Sequence, residues 1–369
     1  MEQIERRVWR DFDWPLFCLM ATLVALGLGN LVSATHAGSV GLLSSEVERQ
    51  LVALGIGVVG LVLALVVDLR RLERLAIPIY LATCALVAST LVLAPMHRGS
   101  RSWLMYGPIR LQPSEFTKVG LVLAMSWLFQ RWPPTALTRL RDLWRPGLVM
   151  ALPVGLIVAQ RDMGVAVLTL LVGATYLPFV RIPWRAWALV AGTGIATVTG
   201  MWFFVLADYQ RSRVLDFLEP GRDPLASGYQ VIQSRIAIGS GGVFGKGWME
   251  GTQTQLRFLP TQHTDFIFSV IAEEWGFVGS AVVLGLYLTL LLWGIQVARR
   301  SRDPFGAYLA LGVVGIFFWP AAINVAMVIG LFPVIGVALP LFSYGGSAMI
   351  ASLIGLGFLL NISMRRFRS

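Results

Sequence analysis

The sequence predicts an all-α, polytopic integral membrane protein with about ten transmembrane helices, and three observations lead there. Of 369 residues, 56% are hydrophobic and only 14% charged, whereas a soluble domain carries about a quarter of its residues charged. The apolar residues fall into runs of roughly twenty, the length a helix needs to cross a hydrocarbon core about 30 Å thick. The basic residues collect in short clusters between those runs, which is a signal of membrane topology. Nucleic acid, which would need one contiguous basic face, is not an expected partner. Cys18 and Cys84 lie inside apolar runs, and the only histidines are His36, His97 and His263. Neither a disulfide framework nor a Cys- or His-based zinc site is expected from that inventory.

Spans are expected over residues 14–35, 50–67, 75–95, 113–131, 146–161, 163–180, 184–206, 266–298, 305–330 and 338–363. The first follows a mixed-charge stretch, Glu2 to Asp13, without a small-residue cleavage site, and reads as a retained span rather than a signal peptide. No lipidation motif is evident. Eighteen arginines, among them Arg70, Arg71, Arg131, Arg145, Arg299 and Arg365, fall on one side of this topology, against five on the other, Arg49, Arg98, Arg101, Arg110 and Arg161. The bias puts both termini in the cytoplasm, which requires an even number of spans. The whole chain, 1–369, reads as a single membrane domain. Between spans seven and eight, residues 207–264 form a large extracytoplasmic loop, long enough to expect a functional role. It is rich in aromatic and aliphatic residues, and 229–238 is expected to form a short helix at the bilayer surface.

Ionisable groups inside spans cost roughly 2.5–3.5 kcal/mol each on insertion scales, so each one needs a reason. Span four opens Gln112-Pro113-Ser114-Glu115-Phe116-Thr117-Lys118. Proline suits the first helical turn, and Glu115 and Lys118, three apart, share a helical face. They form either a structural ion pair at the helix entrance or part of a charged patch lining an outward cavity. Arg161 and Asp162 occupy the turn between spans five and six, where a solvated turn pair is the simplest reading. Span eight is preceded by Gln262-His263-Thr264-Asp265. Asp265 stands where a helix cap is favoured, but a carboxylate at a membrane–water boundary, under a long loop, is also a good general-base candidate. Glu273 and Glu274 follow, and partners among arginines or backbone groups, or a water-filled cavity, are expected for them. Pro340 with Gly345 and Gly346 should loosen the outer end of span ten, or serve close helix packing. Gly245-Lys246 misses the phosphate-binding loop in spacing and hydroxyl. Ser114 to Lys118 is one residue too long for a Ser-x-x-Lys nucleophile.

Taken together, Arg101-Ser102-Trp103, Gly107-Pro108-Ile109-Arg110, Gln112 to Lys118, Asp223-Pro224 with Gly228-Tyr229-Gln230, Gly239 to Gly247, Phe258 to Glu274 and Ser343 to Ser347 resemble the SEDS family (shape, elongation, division and sporulation), its rod-shape branch more than its division branch. The resemblance runs through nearly the whole chain. It implies a peptidoglycan glycosyltransferase of the bacterial cytoplasmic membrane that polymerises lipid II for cell-wall elongation, its active site facing outward. It also implies a class B penicillin-binding protein as partner, beside other elongation-complex membrane proteins. The residue matching the family's essential aspartate is Asp265, and Glu115, Lys118 and Asp162 match its functional polar set. Arg161 departs from the family, which usually has proline there. Arg101, Trp103, Arg211, Arg213, Gln262, His263, Ser343 and Tyr344 are the candidates for holding substrate or its diphosphate. A divalent cation is compatible with this chemistry, but no motif demands one. The alternatives are a flippase for lipid-linked precursors and a non-catalytic scaffold of the elongation machinery.

Overall fold

The computed structural model describes residues 12–36, 44–96, 99–106, 109–137, 139–204, 206, 208–218, 227–259 and 261–365. Gly107-Pro108, Asp223-Pro224 and Pro260, quoted above, lie outside them. The chain is almost wholly helical. Three helices open it: α1 (Trp14–His36), α2 (Ser45–Val66) and α3 (Leu69–Leu93). A small antiparallel hairpin follows, β1 (Leu104–Tyr106) and β2 (Ile109–Leu111), then α4 (Pro113–Arg131), α5 (Trp144–Ala159), α6 (Met163–Ala174) and α7 (Trp184–Phe204). The segment between α7 and the next long helix contains α8 (Asp208–Leu218), α9 (Ser227–Ser240) and the single turn α10 (Thr252–Gln255). The chain ends with α11 (Ile267–Arg300), α12 (Pro304–Val328) and α13 (Gly346–Arg365). Eight helices among the described residues are long and apolar enough to span a bilayer, and Met163–Phe179 is a shorter apolar stretch.

Helix starts obey local chemistry. Ser44 caps α2 by accepting the Val47 N–H, with Glu46 and Glu48 in the first turn. Asp303 caps α12 through the Gly306 N–H at 3.1 Å, with Pro304 at the first helical position. Helices α4, α12 and α13 form the centre, and the apolar window of α13 is 83% buried against 6% for α7 on the periphery. With no water to drive helices together inside a bilayer, close packing of small residues and interhelical hydrogen bonds must do so. The α2–α13 pair shows both. Gly57 faces Leu353, and Gly357 faces the backbone of Leu61. Asn361 Nδ2 reaches the Ala64 and Val67 carbonyls at 2.8 and 2.7 Å, and Arg365 pairs with Asp68 at 2.7 Å. At the other end Gln50, almost fully buried, donates to the Ser343 carbonyl and accepts the Gly345 N–H.

Three features differ from the sequence expectation. Helix α11 is broken at Gly276, whose φ of 66° is in the left-handed region that glycine adopts without steric cost. The glycine-rich strip 241–247 docks on the break. There Lys246 and Gly247 N–H groups take the Glu273 and Glu274 carbonyls at 3.1 and 3.0 Å, and the Phe277 and Val278 N–H groups reach Gly242 and Val243. Backbone freed by the kink is thus paired within the protein, as a bilayer requires. The strip, which looked like a loop from sequence, is the splint of a broken helix. Secondly, the last helix starts at Gly346 and not at 338: residues 331–345 are irregular backbone, yet Val337, Leu339, Leu341 and Phe342 are buried. This segment threads through the protein and carries one wall of the site. Helix α9 extends the expected 229–238 in both directions and is packed inward, its Ser234 bonded to Ser269 and to the Val328 carbonyl.

Candidate active site

Asp265 lies in a tight turn, residues 261–266, whose N–H of Asp265 returns to the Thr261 carbonyl at 3.2 Å. The cap of α11 falls on Phe266, with no side-chain cap. Asp265 stands one residue before that cap position. Three groups hold the turn from outside, and Gln262 ties it outward from within. Asn324, fully buried on α12, donates to the Asp265 carbonyl at 2.8 Å and to the Val337 carbonyl at 2.6 Å. Ser343 donates to the Thr264 carbonyl at 2.5 Å, and the Tyr344 N–H reaches the His263 carbonyl at 2.8 Å. Gln262 donates to the carbonyls of Ala34 and Thr254 at 2.8 and 3.1 Å. Gly336 (φ 75°) faces the Asp265 carboxylate so closely that a Cβ there would lie 3.5 Å from Oδ2.

A second polar cluster sits across the 331–345 segment. Lys118 Nζ lies 2.8 Å from each Glu115 oxygen, and both side chains are largely buried. Asp162 caps α6 by accepting the Val165 N–H at 3.3 Å and receives Gln112 Nε2 at 3.4 Å and Ser102. Burial pushes the Asp162 carboxyl up, Glu115 adds to the rise, and the bonds from Ser102 and Val165 together with Lys118 oppose it. The two clusters share walls. Gly164 abuts the Ile335 carbonyl one residue before Gly336, and Ser347 accepts the Gln112 N–H at 2.9 Å, three residues after Tyr344. The segment 331–345 therefore packs against Gly164, next to Asp162, and against the Asp265 carboxylate.

A group whose folded pKa is raised favours the folded state less as it ionises. For Asp162 this contribution is therefore lost as pH rises from the usual carboxylate range toward the raised value. Asp162→Asn should abolish that slope. The difference in thermal midpoint, variant minus wild type, is expected to grow as pH rises above the usual carboxylate range; a difference that stays flat would contradict the assignment.

The remaining candidates are more dispersed. The Arg101 guanidinium turns to the Leu91 carbonyl at 3.2 Å, Trp103 is half-buried beside the hairpin, and Arg211 reaches back to Phe203 at 3.1 Å. Arg213 on α8 contacts the Val334 carbonyl at 3.3 Å, which brings its charge to the segment beside Asp265. Gln262 and Ser343, expected to touch substrate, have their hydrogen bonds directed to backbone and hold the turn. His263 is half-buried, its ring 5.9 Å from that of Tyr344. Arg161 has φ 63°; proline, locked near −65°, could not form this turn, so the departure from the family's proline goes with a different local backbone. Glu273 and Glu274 find Lys246, hydroxyls and backbone N–H groups as partners rather than arginines. Among the described residues no group of three or more His, Cys, Asp or Glu is placed to hold a metal. Asn324 escaped the sequence reading, although a lone polar residue in an apolar run is a recognisable signal.

The fold and site define a multi-pass helical membrane protein with acidic groups gathered at one end of the bundle. The family model covering FtsW, RodA and SpoVE, described as "Cell cycle protein", matches residues 13–367, and the chain belongs to that family. It is 37% identical over 353 residues to peptidoglycan glycosyltransferase MrdB of Escherichia coli (strain K12), covering 95% of this chain and 93% of that one. A solved peptidoglycan synthase complex, described as coordinating polymerization and crosslinking, superimposes with a TM-score of 0.79 at 38% identity, covering 97% of this chain and 99% of that one. The rod shape determining protein RodA of Thermus thermophilus gives 0.71 at 32% identity, covering 97% and 98%.

Proposed function

We propose that this protein polymerises lipid II on the outer side of the bacterial cytoplasmic membrane, with Asp265 as general base. That it is a peptidoglycan glycosyltransferase follows from its family and from 37% identity over 95% of its length. The observation that carries the role of Asp265 is its turn: Asn324, Ser343 and the Tyr344 N–H fasten three successive carbonyls of its backbone, while the cap position of α11 falls on Phe266. A base must be held still relative to the proton it takes.

In the reaction, the 4-hydroxyl of the acceptor sugar attacks the anomeric carbon of the donor. Its proton passes to the Asp265 carboxylate as the new C–O bond forms. The bond from the anomeric carbon to the diphosphate oxygen breaks, and undecaprenyl diphosphate leaves with the electron pair. Direct displacement inverts the anomeric centre. Charge developing on the leaving group calls for cations. Arg213, adjacent to the 331–345 segment, is best placed; Lys118 has Glu115 against it at 2.8 Å. Asp162, Glu115 and Lys118 then set the field and shape of the opposite wall.

The arginine distribution supports cytoplasmic termini and a site facing outward. The chain behaves as one membrane domain, and a class B penicillin-binding transpeptidase is the partner that would crosslink the emerging strand. Purified protein given labelled lipid II in vesicles should produce glycan strands. Translocation of lipid II without polymer would favour the flippase, and neither activity would favour the scaffold. Replacing Asn324 by leucine removes the donors to the Asp265 carbonyl in the turn and to the Val337 carbonyl beside it, each loss being worth about 1–3 kcal/mol. The expected result is at least a tenfold lower kcat with little change in KM; unchanged kcat would remove Asn324 from the positioning set.

A further inference from the structure

At the end of the bundle opposite Asp265, the last turn of α4 and the first of α5 enclose a cavity of about 220 Å³ lined by Trp132, Leu137, Asp142, Trp144 and Arg145. The site is separate from the polymerisation chemistry, and its test is independent of it. The Arg145 guanidinium carbon lies 4.1 Å from the centre of the Trp132 ring and 5.4 Å from that of Trp144. Among the described residues it makes no hydrogen bond or ion pair. Cation–π contact engages the guanidinium through the ring faces and leaves its in-plane N–H donors for an anion. Its neighbour Arg131 differs, since it stacks on Trp127 at 4.1 Å and pairs with Glu73 at 3.5 Å. Asp142, the acidic wall, receives the Arg139 N–H at 3.0 Å and closes the short turn Leu140–Leu143.

Beside it a far smaller recess adds Leu128, Phe129 and Pro146 and shares Trp132, Leu137, Asp142 and Arg145 with the cavity, and Phe129 is fully buried there. A charged cavity at the ends of two spans, flanked by exposed Trp132 and Trp144, is where the headgroup of an amphiphile at the bilayer boundary sits. The connection 131–145 contributes Arg131, Arg139, Arg141 and Arg145 against the single acid Asp142. That balance selects a negatively charged headgroup over a zwitterionic one. The cavity is smaller than the several hundred Å³ of a typical drug-sized site, which suits a headgroup.

We propose that this cavity is a binding site for the phosphodiester headgroup of an anionic phospholipid of the surrounding leaflet. The Arg145 N–H groups contact the phosphate, beside the exposed ring of Trp144. The test is native mass spectrometry of the detergent-purified full chain titrated with phosphatidylglycerol, phosphatidylcholine or glycerol 3-phosphate. Wild type should retain phosphatidylglycerol about tenfold better than phosphatidylcholine, and Arg145→Gln should reduce that preference at least about fivefold. Trp144→Leu, at an exposed position, should do the same if Arg145→Gln proves poorly folded. Arg185→Gln, at a stacked arginine outside the cavity, should leave the preference intact. Equal retention of the two lipids by wild type, full preference in both cavity variants, or glycerol 3-phosphate competing as well as phosphatidylglycerol would overturn the proposal.

Discussion

Asp265→Asn is expected to lower the rate of lipid II polymerisation by about 10²–10⁴-fold, the range a positioned general base supplies. The amide has nearly the shape of the carboxylate but cannot accept the acceptor sugar's proton. The turn itself should persist, because the bonds that shape it involve main-chain carbonyls of Thr264, Asp265 and His263, with Asn324, Ser343 and the Tyr344 N–H as donors. Thermal midpoint and monodispersity should therefore match wild type while strand length in a gel assay collapses. Strands of normal length from the variant would remove Asp265 from the chemistry. A fall in stability in step with activity would make it a structural residue.

The second large effect is on stability. Glu273 is fully buried yet accepts from Lys246 Nζ at 2.8 Å, the Gln253 and Thr254 N–H groups at 2.8 and 3.1 Å, and the Thr254 hydroxyl at 2.8 Å. It draws the segment 246–254 onto the first part of α11, beside the kink at Gly276. Glu273→Ala leaves the part-exposed Lys246 ammonium with only the Thr252 hydroxyl at 2.8 Å and takes the acceptor from the Gln253 and Thr254 N–H groups, and each buried donor left unsatisfied costs about 1–3 kcal/mol. The thermal unfolding transition should move down sharply, and Glu273→Met combined with Lys246→Met should recover part of the loss. A shift corresponding to less than about 1 kcal/mol would mean that the glycine strip's own backbone bonds hold the segment.

Much of this was legible beforehand, and the reasons separate cleanly. Long apolar runs announce spans because a bilayer imposes a length, so α1, α4, α7 and α12 appear within about two residues of expectation, while α3 starts at Leu69 and not at 75. Residues 338–345 misled because burial against protein and burial in lipid call for the same composition. There Pro340 gives its carbonyl to Tyr287, and Val337 gives its own to Asn324, so irregular backbone is satisfied where a helix was expected. Lys246 was set aside because it fails a nucleotide motif, whereas its partner Glu273 is distant in sequence and no periodicity joins them. The hairpin 104–111 escaped because three-residue strands are too short to show alternation. Among the candidate residues, Asp265, Glu115 and Lys118 stand out as charges at the ends of spans, whereas Asp162 reads as a solvated turn pair and joins them only through the family resemblance. The residues that hold them, Asn324, Ser347 and Gln112, act through backbone bonds that only the fold reveals.

The account rests on Asp265 acting on the proton and not on the grip, and a binding measurement separates the two. Labelled lipid II is titrated into wild type and Asp265→Asn in the same nanodiscs, and single-turnover transfer is followed in the same samples. The account predicts dissociation constants within about threefold of each other and transfer lost only in the variant. Loss of lipid II binding in proportion to the loss of transfer would contradict it.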